Sequence, residues 1–251
     1  MKIAELYTRL DARIPRELSC SWDNDGLMCC PDPDAEVKKV LIALDITAQI
    51  AEQAIAEKYD VILSHHPLIF RPLAALEPDD PVAKKVIRLL RAGVTAMSFH
   101  TRLDAVRGGV NDTLADALGL TEAVPFGEGG RIGYLPREMT LAQFAQTVKQ
   151  VTGAPLVQVA DAGIPVHRVA VLGGSGSDDV QAAADAGADT YLSGELKHNH
   201  LTDAPERGMN LLAAGHFFTE QPVCETLRRM VLELDPDVQA VVAQSNAVHV
   251  L

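Results

Sequence analysis

Two adjacent histidines, His65 and His66, follow the apolar run VILS and precede Pro67. The run reads as a short buried strand, so both imidazoles leave its C-terminal end, where side chains that alternate along a strand can diverge toward one cleft. Two further strand-like runs also end in histidine. GVTAMSF leads into His100 and then TRLD, with Asp104 at its end, while GMNLLAAG leads into His216 and then FFTE, ending at Glu220. The pattern His-x-x-x-carboxylate therefore occurs twice. Taken singly, each residue has a plain structural role: a strand-end histidine is most often packed and hydrogen-bonded, an aspartate in such a place caps a helix, and Glu220 favours the positive end of the next helix. Metal chelation explains them together. Imidazole nitrogen with carboxylate oxygen suits Zn, Mn, Fe or Co, and the lack of neighbouring cysteine argues against a structural zinc finger. Three or more histidines with two acids exceed what one ion with an open position needs. They match two ions that share a carboxylate and a bridging water.

The elements that must position these residues alternate in kind. VLIALDI, TAQIAEQAIAEKY, DVILS, PVAKKVIRLLRA and GVTAMSF read in turn as strand, helix, strand, helix, strand, and VAVLGG, SDDVQAAADAG, ADTYLSG and GMNLLAAG repeat the order. The fold class is α/β. Val40 to Ser64 has the same separation as Val169 to Ser193, and both copies run on to a His-x-x-x-acid end. Two similar α/β lobes related by a pseudo-two-fold are expected, residues 1–125 and 126–251, with room for exchange of terminal segments and with the metal site in the crevice between them. Open α/β sheets bind ligands at the C-terminal ends of their strands. FGEGGRIGYLPREMT, residues 126–140, is the expected crossover, its glycines marking turns. Aligning Ser64 with Ser193 sets Glu195 opposite His66, and His216 and Glu220 against His100 and Asp104. His100 and Glu195 are thus the catalytic candidates, expected beside the ions to orient ligands or shuttle protons rather than to hold metal.

Composition narrows the function further. At 251 residues, 47% hydrophobic and 22% charged, the chain has an ordinary globular profile. A formal net charge of −12 disfavours nucleic acid, whose affinity comes largely from Lys and Arg displacing counterions. Cys20, Cys29, Cys30 and Cys224 lack CxxC spacing and read as reduced thiols. The N-terminal MKIAELYTRLDARIP has helical periodicity and no signal-peptide core, and no apolar run reaches membrane-spanning length, so a cytoplasmic protein is expected. GGSGSDDV, residues 173–180, is the one glycine-rich strand-to-helix turn. It reads as a phosphate cradle or, with more general support, as a tight turn with Ser177 or Asp178 as helix cap.

WDNDGL at 22–27, SHHP at 64–67, HTRLD at 100–104, GGVND at 108–112 and AGHFFTE at 214–220 closely resemble the Nif-three-like dinuclear metal-centre family, in order and over the whole chain. Members often carry the name GTP cyclohydrolase I type 2. The resemblance implies two divalent ions, Zn, Mn or Fe, held by His65, His66, Asp104, His216 and Glu220. It also implies a toroidal homohexamer, and the chain's length implies the minimal form without an inserted domain. SGELKHNH near residue 193 and Arg102 depart from the commoner pattern without removing a ligand.

The expected activity is that of a metal-dependent hydrolase, in which a metal-bridging hydroxide attacks a carbonyl, an amidine-like carbon or a phosphoryl group. A GTP cyclohydrolase-like reaction on a small-molecule substrate is what the family name implies. The alternative is a non-catalytic metal-binding or metal-handling scaffold that binds partners as a ring. An acid or base near the ions that is not itself a ligand separates the two, which is the role given to His100 and Glu195.

Overall fold

The computed structural model describes residues 1–243 and 246–248. In chain order the elements begin with α1 (Ile3–Arg13), β1 (Gly26–Cys29), β2 (Lys39–Ala43), α2 (Ala48–Ala56), β3 (Val61–Ser64), α3 (Pro81–Ala92), β4 (Thr95–Ser98) and α4 (Thr101–Ala105). They continue with α5 (Val110–Ala117), β5 (Thr121–Phe126), β6 (Gly130–Met139), α6 (Leu141–Thr152), β7 (Gln158–Ala160), β8 (Val166–Ser175), α7 (Val180–Asp185), β9 (Thr190–Glu195), α8 (His198–Glu206), β10 (Asn210–Ala213), α9 (His216–Glu220), α10 (Val223–Leu234) and β11 (Gln239–Val242). The chain divides into two compact units. Met1–Val106 with residues 223–243 forms the first, and Arg107–Pro222 forms the second.

Each unit is an α/β structure built on one sheet. In the first, the strand order is β1-β4-β3-β2-β11, and all neighbours are parallel except β1 with β4. Such strands are covered on both faces and are correspondingly continuous in apolar residues: every residue of β3 and β4 is buried. Helix α3 has both of its boundaries written in the sequence. The Asp80 carboxylate accepts from Val82 N and Ala83 N, Pro81 opens the first turn, and Gly93 closes the helix in a left-handed conformation. From its buried face, Val86 and Leu89 pack into a core with Leu41, Ile50, Ile62 and Ala96.

The second sheet runs β5-β6-β8-β9-β10-β7, with β8, β9 and β10 parallel. Its register follows that of the first over four pairs, Val40 beside Val61 to Ala43 beside Ser64 and Val169 beside Thr190 to Leu172 beside Ser193, after which β8 and β9 shift register and pair again at Ser175 and Glu195. Phe144, Val148, Val169, Leu192 and Leu212 fill its main core.

The domain boundary differs from the expected one at residues 125 and 126. That cut would sever a hairpin, because β5 and β6 pair antiparallel with Phe126 beside Gly130. Nor is 126–140 a crossover: only its first residues turn, and the rest is strand β6, bound on its other side to β8. The C-terminal segment also returns to the first unit, where β11 pairs with β2 and α10 packs on β2 and α1. Among the described residues no helix is long and apolar enough to cross a membrane.

Candidate functional site

Parallel strands end on the same edge of their sheet, and in the first unit that edge carries the chemistry. Asp45 follows β2, His65 and His66 follow β3, and His100 follows β4. The antiparallel strand β1 contributes from the opposite direction. Because Gly26 pairs with Ser98, the residues just before β1 lie beside the end of β4, and so Asp23 and Asp25 reach His100. The three imidazoles cluster with ring centroids 4.9 Å (His65–His66), 5.3 Å (His65–His100) and 5.5 Å (His66–His100) apart. One nitrogen from each falls within 4.8 Å of the others.

The hydrogen bonds of these rings fix their tautomers. His65 Nδ1 lies 3.0 Å from the carbonyl of Phe99, His66 Nδ1 2.8 Å from Asp45, and His100 Nδ1 2.8 Å from Asp23. A carbonyl or carboxylate can only accept, so each Nδ1 carries a hydrogen and Nε2 is the atom of each ring that could ligate an ion. Holding one imidazole nitrogen on an acceptor so that the other can ligate is the usual support of metal-binding histidines. Further contacts stiffen the edge: Ser64 Oγ donates to the His66 carbonyl at 2.7 Å and accepts from Ser98 Oγ at 2.8 Å.

Asp23 carries more than His100. Its second oxygen accepts from Thr101 N at 3.0 Å and Thr101 Oγ1 at 2.6 Å. Burial pushes its carboxyl pKa upward, but the bonds from His100 and Thr101 outweigh burial and hold it down at about 2. Asp25 accepts from the His100 backbone N–H at 3.2 Å and from Arg102 Nε at 2.7 Å. Arg102, fully buried, also donates to Asp11 and to the Ile14 carbonyl. Its departure from the commoner pattern of the motif is therefore a structural ion pair beneath α4. On α4 itself, Asp104 brings Oδ1 to 3.6 Å from His65 Nε2. Two donors each about 2.1 Å from one ion, at about 120°, are separated by about this distance.

In the second unit His216 and Glu220 stand four residues apart on the single turn α9, which places them on one face. His216 Nε2 lies 3.0 Å from Glu220 Oε2, an ion-pair distance close enough for both atoms to reach one ion. Glu195, at the end of β9, has Oε2 3.5 Å from His216 Nδ1 and is mostly exposed. Gly174 makes room for this pair. It has φ +68, and a Cβ there would fall 2.1 Å from Glu220 Oε1 and 3.1 Å from His216 Nε2. Only glycine fits such a conformation without strain and admits so close an approach.

That finding changes the meaning of the glycine-rich turn. The N–H groups of Gly173 and Gly174 donate to Asn111 Oδ1 at 2.8 Å and Thr219 Oγ1 at 3.0 Å, inside the unit. A phosphate cradle at those positions is thereby excluded. Neither Ser177 nor Asp178 caps α7, whose cap position, Asp179, makes no side-chain cap bond. Ser177 Oγ instead accepts from Lys197 N, and Asp178 pairs with Lys197 Nζ.

The donor chemistry in each unit thus fits first-row divalent ions. The first unit brings together His65, His66, His100 and Asp104, and the second His216, Glu220 and Glu195. The sequence reading missed Asp23, Asp45, Thr219 and Gly174 as supports. Asp45 follows a strand just as His65 and His66 do, and Asp23 lies inside WDNDGL, so both carried a visible signal.

Comparison with known proteins agrees with the motifs. The chain is 32% identical to a GTP cyclohydrolase 1 type 2 homolog of Clostridium perfringens over 97% of both chains. It is 33% identical to the protein NIF3 homolog of Schizosaccharomyces pombe, over 92% of this chain and 91% of that one. The fold matches a Bacillus cereus protein related to NIF3 with a TM-score of 0.91, at 23% identity, over 100% of this chain and 99% of the other. The model of the Duf34/NIF3 (NGG1p interacting factor 3) family matches residues 1–247, and the chain belongs to that family.

Proposed function

We propose that His65, His66 and Asp104 of the first unit and His216 and Glu220 of the second are ligands of two divalent first-row ions, and that the protein is a metal-dependent hydrolase. The observation that carries this reading is the gathering of His65, His66 and His100 in one cluster with Nδ1 of each tethered to an acceptor, which makes Nε2 the ligating atom of each ring. The chelate distance between His216 and Glu220 supports it independently. Bound ions would supply a water of lowered pKa and Lewis acidity toward the substrate.

The chain's own residues have distinct tasks. The Phe99 carbonyl and Asp45 orient His65 and His66, and Gly174 leaves Glu220 its place. His100, fixed by Asp23, is the proton carrier: its Nε2 accepts a proton from an incoming nucleophile or returns one to a leaving group. Glu195 beside His216 orients that ring.

Elemental analysis after metal supplementation tests the ligand set, with two ions per chain expected. His65→Ala and Glu220→Ala should lose metal while circular dichroism stays unchanged, and full occupancy in both would refute the assignment. GTP is the first substrate to test, because curated relatives bear the name GTP cyclohydrolase 1 type 2 homolog, followed by phosphoesters and cyclic amides. The His100–Asp23 pair favours catalysis over a non-catalytic metal-handling scaffold. His100→Gln should keep both ions and lose turnover, whereas loss of an ion would make His100 a ligand and favour the scaffold. The ring hexamer implied by the family resemblance belongs to the same proposal, with light scattering of the purified chain as its measurement.

A further inference from the structure

Trp22 is the only tryptophan in the chain, and it lies 61% exposed although it is next to some of the most constrained residues of the first unit. Asp23 beside it is tied to His100 and Thr101. Asn24 Nδ2 donates to the Ile69 carbonyl, and Cys20 N donates to Thr101 Oγ1 at 2.9 Å. The loop is therefore anchored on both sides of the indole, while the indole itself gains little burial. Phe70 is also exposed, at 43%, and follows the same strand end that carries His65 and His66.

These rings are continuous with the imidazole cluster. Trp22 and Phe70 meet nearly edge to face at 6.1 Å. Each also meets His100 in the same manner, at 6.2 Å for Trp22 and 6.0 Å for Phe70. An edge-to-face contact occupies at most one face of a ring, and the exposure of Trp22 leaves π-surface open to a ligand. A large aromatic held rigid and left wet, one ring away from metal-ligating histidines, is placed to grip the apolar part of whatever those histidines process.

We propose that Trp22 and Phe70 form a ring-stacking subsite for a planar heteroaromatic group of nucleobase size, which holds the substrate while its reacting part lies at the imidazole cluster. The inference rests on the hydrolase reading for the second half of that statement and on the aromatic geometry alone for the first. Stacking tolerates any base because every base has a π-face, and each stacked base contributes about 1–3 kcal/mol, or about 5- to 150-fold in affinity. Discrimination among bases must come from elsewhere.

Because Trp22 is the sole tryptophan, indole fluorescence reads this site directly. The full chain, with zinc and without, is titrated with guanosine, adenosine and cytidine, and with ribose as the ring-free control. Saturable quenching by nucleosides and none by ribose is expected, and Phe70→Ala should weaken it about fivefold or more. Trp22→Leu, read by equilibrium dialysis of labelled guanosine, should weaken binding similarly while keeping its zinc content. Absence of saturable quenching by all three nucleosides overturns the subsite, as does unchanged affinity in both variants. Quenching by tetramethylammonium in place of nucleosides would assign the rings to a cation, and a drop in oligomer mass with nucleoside affinity intact would assign them to a second copy of the chain. Either result overturns the proposal. The two readings fail separately: a chain that holds no ions but still shows nucleoside quenching loses the metal assignment and keeps the subsite, and the reverse result does the opposite.

Discussion

Replacing Gly174 with alanine separates backbone strain from ligand displacement, because a matched control exists in the same unit. Gly174 and Gly163 have nearly the same left-handed backbone, φ +68 and +71, but an added Cβ at Gly163 meets nothing within 4 Å whereas at Gly174 it falls 2.1 Å from Glu220 Oε1. Alanine in the left-handed region costs roughly 1–2 kcal/mol at either position, so both variants should lose about 2–8 °C in Tm for a chain of this size. Only Gly174→Ala should move the carboxylate. To reach a tolerable contact near 3 Å, Glu220 Oε1 must retreat by roughly 1 Å, well beyond the about 0.2 Å tolerance of a metal–oxygen bond. We expect zinc affinity, measured by competition with a fluorescent chelator, to fall about 10- to 100-fold in Gly174→Ala and to stay at the wild-type value in Gly163→Ala. Equal zinc affinities in the two variants would refute the claim that Gly174 exists to seat Glu220.

Two further outcomes concern the supports of His100. Asp23 has its carboxyl pKa held at about 2, against an ordinary value of 3.8. A lowered folded-state pKa contributes stability that is complete above the unfolded value and is lost as pH falls through the folded one. Acid titration of the metal-free protein should therefore show a loss of stability between about pH 4 and pH 2 that is reduced in Asp23→Asn, and an identical acid limb in the two proteins would contradict the bond pattern. Asp25→Ala removes a buried partner of the Arg102 guanidinium, both side chains being inaccessible to solvent. Breaking one side of a buried pair costs about 3–5 kcal/mol, so Tm should drop by about 10 °C, and a loss within about 2 °C would mean that Asp11 and the Ile14 carbonyl suffice.

How much of this could be read in advance follows from the range of each signal. Strand and helix identity in β2, α2, β3, α3 and β4 came from short-range patterns, the alternation of apolar runs with helical stretches, and these act within a few residues of themselves. The equal spacing of the two halves was also local arithmetic, and it reappears in matching register over the first four pairs of β2 with β3 and of β8 with β9. The errors lie where distant segments decide. FGEGGRIGYLPREMT reads as a crossover because its glycines mark turns, yet pairing with β8 on one side and β5 on the other makes Gly130–Met139 strand β6. The C-terminal return of α10 and β11, for which the expected lobes left room by exchange of terminal segments, is also decided by partners far away in sequence, as the pairing of Gln239 with Lys39 shows.

The same distinction runs through the site. Candidate ligands announce themselves by type, because histidine and carboxylate recur at successive strand ends. Their supports do not, since an aspartate that orients an imidazole is indistinguishable in sequence from one that caps a helix. Asp23 does both at once: one oxygen takes the His100 ring and the other takes the first N–H of α4. It can do so because β1 runs antiparallel to β4, which brings the start of one strand beside the end of the other. The edge strand is thus more than a border to the sheet. It supplies from its N-terminal side Asp23 and Asp25, carboxylates added to an edge where the C-terminal ends of β2, β3 and β4 already carry Asp45 and the histidines.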